Sequence, residues 1–168
     1  IILSFFLPKL RKSNPDIIIE KEEKNTTKDT IIGNDDFGYL KLPGKWYKFQ
    51  DVDGKSALQY SLDSQWIVSL ESYEPKYDDE TAEYLAKTSL SNLINNEVGV
   101  ENATGATVKL AGYDAYQVYG LYTNDNIWLV EWFFEPGDGK IHYISVEGPD
   151  YNSDYFKIPE TFSLTKIK

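Results

Sequence analysis

Two hydrophobic periods divide the second part of this chain. From residue 37 onward most apolar positions recur at every second place, the spacing of a half-buried strand. In GYLKLP, Leu40 and Leu42 fall on one side, Tyr39 and Lys41 on the other, and Pro43-Gly44 ends the run. KWYKFQ follows and is stopped at Asp51-Val52-Asp53-Gly54. SALQYSL and WIVSLESY read as two strands about an Asp63-Ser64 turn, with the β-branched and aromatic content that suits a pleated sheet. Over residues 78–97 the period becomes that of a helix. Ala82, Leu85, Ala86, Leu90, Leu93 and Ile94 recur at three and four residues and form one apolar stripe. Asp78 or Asp79 is placed to cap this helix, Glu80 and Glu83 meet the positive end of its dipole, and Asn95, Asn96 and Gly99 end it.

Four more strands are predicted after the helix, as an antiparallel meander. They are ATVKLA (106–111), AYQVYGLYT (115–123), NIWLVEWFFE (126–135) and IHYISVEG (141–148), joined through Asn124-Asp125 and Asp138-Gly139. The third is apolar on both sides. Trp128, Val130, Trp132 and Phe134 share one face, and Ile127, Leu129 and Phe133 share the other, broken only by Glu131. A strand of that kind is central and covered twice. The helix is expected on one side, and residues 150–162 are the available cover for the other. Trp128 and Trp132 point the same way, so each is expected to meet a different turn of a helix laid over their face. Both are expected in the core, with Trp46 folding under a sheet edge. The fold class is α+β: an antiparallel sheet with one principal helix packed on it and a short second helical layer.

The earlier residues follow neither period. IILSFFL is an apolar run closed by Pro8 and by Lys9, Arg11 and Lys12, far short of the ~20 residues that span a bilayer. Residues 1–12 are read as the remnant of an N-terminal membrane anchor or signal segment. Residues 13–36 are read as a polar linker in which Ile17–Ile19 can add an edge strand. Residues 37–168 are read as the globular domain. A tether of this kind is expected to place the domain at the cell envelope, outside the cytoplasm. If the three basic residues flank a true span, the positive-inside rule favours the cytoplasm instead.

The order of elements, with GYLKLPGKWYKF, SALQYSLDSQWIVSLESY, the helix, GYDAYQVYGLY, IWLVEWFF and the closing IPETFSL, resembles the PsbP-like family. That family includes photosystem extrinsic proteins, Ran-binding Mog proteins and bacterial DcrB-like envelope proteins. The resemblance covers residues 37–168. It implies an α/β/α sandwich and a non-enzymatic binding or assembly role on a membrane or partner, closest in style to a bacterial, membrane-tethered member. No residue motif of the Ran-binding or photosystem branch is present.

Composition narrows the chemistry. The 168 residues hold no cysteine and one histidine, His142, so a disulfide framework, a thiolate zinc site and a multi-histidine metal cage are excluded. No glycine-rich phosphate loop occurs, and no cofactor is expected. The net charge is −10, and residues 37–168 carry nine of those ten negative charges. Such a domain repels phosphate backbones, so nucleic acid is not the expected partner, while a basic protein is electrostatically allowed.

Single residues narrow the chemistry further. His142 lies in a strand with no Gly-x-Ser-x-Gly elbow nearby. Asp51–Gly54 places its glycine too early for a calcium loop and reads as a hairpin turn. Glu131 is embedded in an aromatic run. It either pairs with a lysine on a neighbouring strand, reaches a sheet edge, or is buried with a raised pKa as a general acid. Asn25-Thr26-Thr27 and Asn102-Ala103-Thr104 match the glycosylation sequon. Among 13 tyrosines, Tyr73 and Tyr77 precede the helix and Tyr113, Tyr116 and Tyr122 crowd one hairpin. These five are the candidate partner-binding residues, with Tyr116 and Tyr122 on one strand face and Tyr119 on the other. The reading is a monomeric, non-enzymatic accessory or binding domain with a protein or surface partner. Its alternatives are a carboxylate-dependent hydrolase around Glu131 and an acidic immunity-type inhibitor of a basic protein.

Overall fold

A computed structural model describes residues 28–51, 57–95 and 97–168. The expectations for residues 1–12, for most of the linker including Ile17–Ile19 and Asn25, and for the Val52–Gly54 part of the Asp51 turn lie outside those residues.

The fold is α+β. A two-stranded hairpin of β1 (Thr30–Asn34) and β2 (Gly38–Leu42) precedes β3 (Tyr47–Phe49), β4 (Leu58–Ser61) and β5 (Ile67–Tyr73). Helix α1 (Ala82–Asn95) follows, then β6 (Val100–Leu110), β7 (Tyr113–Tyr122), β8 (Ile127–Phe134) and β9 (Ile141–Gly148), and a closing 3₁₀ helix, Asp154–Thr161. Strands β3 to β9 make one antiparallel sheet in the order β3-β4-β5-β9-β8-β7-β6. The last four strands form the expected meander, and the first three join it through β5 beside β9.

Strand β8 is central and apolar on both faces, and each face has its own cover. Leu129 and Phe133 lie with Val118, Ile141 and Tyr143 under Ala82, Leu85, Ala86 and Leu93 of α1. Val130, Trp132 and Phe134 lie with Val68, Leu70, Ile144 and Val146 under the β1–β2 hairpin and the 3₁₀ helix. Helix α1 therefore covers the face opposite the one expected to touch the tryptophans. Trp132 is a core residue beneath the second layer. Trp128 is only half-buried, its ring centroid 4.8 Å from that of Tyr151. Trp46 is buried and donates from Nε1 to the Pro43 carbonyl at 3.0 Å, as a tryptophan folded back after a turn should.

Three local corrections have physical causes. Thr30–Asn34, read as linker, is a strand. Its turn chemistry belongs to the hairpin itself, where Asn34 Oδ1 accepts from the backbone N–H of Asp36 at 3.0 Å and of Phe37 at 2.8 Å. The helix is capped by Thr81, whose Oγ1 accepts from Tyr84 N–H at 3.1 Å, and by Glu135, which accepts from Ala82 N–H at 2.7 Å. Asp78 and Asp79 stand too early for either job. Ile94, expected in the stripe, is 59 % exposed. The buried line runs through Leu85, Ser89 and Leu93 at four-residue steps, and Ile94 lies about 100° further round.

Replacing Trp132 by alanine should cost about 3–5 kcal/mol, because it empties a closed core site. Ile94→Ala should change stability by less than about 0.5 kcal/mol. Urea unfolding of the two variants checks both.

Candidate functional site

The helix-covered face carries a polar seam. In register across the sheet stand Gln59 of β4, Ser69 of β5, Ser145 of β9 and Glu131 of β8, all buried. Glu131 is 1 % exposed. Its Oε2 accepts from Ser89 Oγ of α1, and its Oε1 accepts from Tyr143 O–H of β9 at 2.9 Å. Among the described residues no lysine reaches it, and β8 is not an edge strand, so Glu131 neither pairs with a lysine of a neighbouring strand nor reaches a sheet edge. Burial pushes its pKa up to about 7, and the two hydroxyl donors pull it down without cancelling that effect. Burial, then the neighbouring Glu131 charge, raises the Tyr143 phenol well above its ordinary range. On the same face, Tyr122 O–H and Ser145 Oγ are buried with no hydrogen-bond partner among the described residues.

Ser89, Tyr143 and Ser145 are missed by the apolar pattern alone. One signal for the pair was present: Ser89 interrupts a helical stripe and Glu131 interrupts an apolar strand. Two interruptions on elements that face each other answer one another.

His142 serves as a structural clamp. It is fully buried, with Nε2 2.8 Å from Asp138 Oδ2 and Nδ1 3.1 Å from the Phe37 carbonyl. Both ring nitrogens are occupied, so neither is left to activate a nucleophile. The clamp ties the β8–β9 turn to the β1–β2 hairpin. Among the described residues no three His, Asp or Glu side chains form a metal-binding group, and no helix is long and apolar enough to cross a membrane.

The structure disperses the five candidate tyrosines. Tyr77 is 56 % exposed, and Tyr73 donates to Glu71 Oε2 at 2.8 Å. Tyr113 stacks on Phe134 in the other layer, at 6.0 Å between ring centroids. Tyr122 and Tyr116 do share the helix-facing side of β7, and Tyr119 does point the other way. Tyr122 is buried. Tyr116 alone borders an opening, a cleft of about 250 Å³ between α1 and the outer strands.

That cleft is walled by Glu83, Ala86, Lys87 and Leu90 of α1, floored by Tyr116 to Val118 of β7, and open beside Gly105, Ala106 and Thr107 of β6. Strand β6 is the last in the sheet, so one side of its backbone has no strand partner among the described residues. The direction of its free groups follows from the β6–β7 turn. Ala111 (φ 49°) and Gly112 (φ 93°) form a two-residue loop of the kind that closes on a hydrogen-bonded pair, here Leu110 and Tyr113. Pairs then alternate along an antiparallel ladder, which turns the N–H and C=O of Lys109, Thr107 and Gly105 outward. A bulge between Glu101 and Thr104, with Asn102 at φ 55°, ends the regular stretch.

The Glu131 pKa carries a stability statement. The folded-state value, about 7, lies above the ordinary 4.5, so the group's contribution is full below pH 4.5 and is lost as pH rises through 7. Wild-type protein should lose about 3 kcal/mol relative to Glu131→Gln between acid and mildly alkaline solution. Urea unfolding of both proteins across that range should show the gap opening in favour of the variant; parallel curves would mean that the carboxyl does not titrate there.

Comparison with known proteins places this arrangement among solved folds only. No protein-family model matches the chain, so the PsbP-like assignment has no support from that comparison. No curated protein matches it either. A crystal structure from Bacteroides thetaiotaomicron is 13 % identical with a TM-score of 0.51 over 84 % of this chain. This chain spans half the length of that protein. LpqN of Mycobacterium tuberculosis, a protein involved in cell envelope biogenesis, is 16 % identical with a TM-score of 0.46, over 79 % of this chain and 87 % of its own. PA94 of Pseudomonas aeruginosa, of unknown function, is 14 % identical with a TM-score of 0.39, over 72 % of this chain and 83 % of its own. At 13 % identity the likeness to the Bacteroides thetaiotaomicron structure is one of fold alone.

Proposed function

We propose that the protein is a non-enzymatic accessory domain that binds a partner protein by taking an extended segment of it onto the free edge of β6. The observation that carries this reading is the contrast between the two edges of the sheet. Strand β3 is three residues long and flanked or occupied by Lys45 and Lys48, the usual protection against strand addition. Strand β6 is eleven residues long, and from Asn102 to Val108 it carries no charge. Gly105, Thr107 and Lys109 hold their backbone groups outward at alternate places, the pattern an added strand needs.

The cleft beside that edge supplies a place for side chains. Ala86 and Leu90 form its apolar wall, and Ile94, one helical turn beyond Leu90, continues the strip in the open. Backbone bonding to β6 gives affinity in such a mode, and the cleft gives selectivity.

The hydrolase reading draws support from the raised pKa of Glu131. Against it, both carboxyl oxygens are held by protein hydroxyls beneath α1, so a substrate would have to displace the helix to reach them. The apolar-basic start of the sequence supports a tether at the cell envelope for the same binding domain.

The test uses a synthetic peptide of alternating threonine and valine, with amide hydrogen exchange as the readout. The peptide should slow exchange at Gly105, Thr107 and Lys109. Thr107→Pro removes an outward N–H and spares the ladder to β7. It should keep the melting temperature within a few degrees and weaken binding by at least about ten-fold. Unchanged exchange at those three amides, or undiminished binding by a folded Thr107→Pro, would refute strand addition at β6.

A further inference from the structure

We infer that the segment received by β6 is cationic at the end that lies beside Glu101, with small or aliphatic side chains at alternate positions along its middle. This inference rests on the strand-addition reading and adds the chemistry of the partner.

The middle is set by the cleft. In an added strand, every second side chain points to the side occupied by α1. Those side chains pass over Ala86 and Leu90 and along a β6 surface whose own helix-facing positions are Gly105 and Thr107. Gly105 leaves the floor low: a Cβ built there would already stand 3.4 Å from Leu90 Cδ2. Strand and helix therefore already touch at Gly105. The side chains of an added strand lie outside that contact, along Ala86, Leu90 and the exposed Ile94, where small or aliphatic groups match the surface. Glu83 and Lys87, which also line the cleft, are paired with each other.

The ends are set by charge. Each lysine on this flank already has a carboxylate. Lys87 Nζ lies 2.7 Å from Glu83 Oε1, and Lys109 Nζ lies 2.7 Å from Asp114 Oδ1. Glu101 is exposed and forms no ion pair with a described residue. Its neighbour in register is Leu121, which points away from α1, so Glu101 offers its carboxylate on the far face of the sheet. An acidic segment would meet this carboxylate and the field of a domain that carries nine of the chain's ten net negative charges. A lysine or arginine at the same place pairs with Glu101 and is drawn in by that field.

Three peptides of about nine residues, long enough to run from Lys109 to Glu101, test this. They share a threonine–valine centre and end at both termini in lysine, serine or glutamate, so that either strand direction presents its terminal residue to Glu101. The lysine-ended peptide should bind at least about ten-fold more tightly than the glutamate-ended one at low salt, and the gap should shrink at high salt. Glu101→Gln should reduce the lysine preference while leaving the serine-ended peptide's protection of Gly105, Thr107 and Lys109 unchanged. If all three peptides protect those amides with equal affinity, the cationic partner is wrong and strand addition stands. If none protects them, strand addition itself falls and this inference with it. Protection that appears without peptide and grows with protein concentration would assign the edge to a second copy of this chain and overturn the inference.

Discussion

Strand β8 obliges the rest of the molecule to exist in two layers. Its alternate side chains are apolar on both sides, and a sheet strand of that composition is stable only if neither side meets water. Helix α1 closes one side with a stripe of small and branched residues. The other side is closed by pieces from the two ends of the described chain, the β1–β2 hairpin and the 3₁₀ helix. Neither piece would hold its shape alone: a two-stranded hairpin is marginal in water, and 3₁₀ turns are short and poorly bonded. Both are held by Trp132, Phe134 and their neighbours on the sheet.

Glu131 is the one departure from that apolar rule, and its surroundings show how a buried carboxyl is tolerated without a cation. Ser89 and Tyr143 each rotate a hydroxyl toward it. The same hydroxyls can accept as well as donate, so the seam can serve either protonation state. A buried lysine would have demanded a permanent charge pair, with its desolvation cost. The seam therefore joins helix to sheet at a point where both are otherwise apolar, and it fixes which residue of α1 sits above which strand.

The alternation at β7, β8 and β9 was readable because those strands run through the core, where each side chain is constrained by its face. The helix was readable for the same reason, with an error at Ile94, where the stripe's outer margin meets water. Thr30–Asn34 was not readable as a strand, because Gly33 and Asn34 signal a turn and leave only Thr30, Ile31 and Ile32 as strand formers, too short a run to show a period. Its partner also lies across its own hairpin. The side on which α1 lies was not readable either: both faces of β8 are apolar, and parity names a face without saying what covers it. The lower half of β6 escaped for a related reason. Asn102 to Gly105 has weak strand propensity and lies at an edge, where the ladder to β7 rather than burial holds it extended. Tyrosine abundance pointed to five residues, and only Tyr116 borders the cleft, because aromatic count reports buried ring area and says nothing of where a surface opens.

The second layer also imposes an order on folding. Residues 82–148 form helix and meander from neighbours in the chain, so their contacts close short loops. The hairpin and the 3₁₀ helix meet by a different route. Tyr39 and Ser163 exchange backbone hydrogen bonds at 2.8 and 3.0 Å, and Lys41 N–H reaches Thr161 Oγ1 across 120 residues of chain. Closing a loop of that length gains little until the sheet between its ends is already in place. The two ends of the domain thus act as a clasp fastened last, and until it is fastened Trp132 and Phe134 face solvent, which makes this face the sticky surface of any partly folded chain.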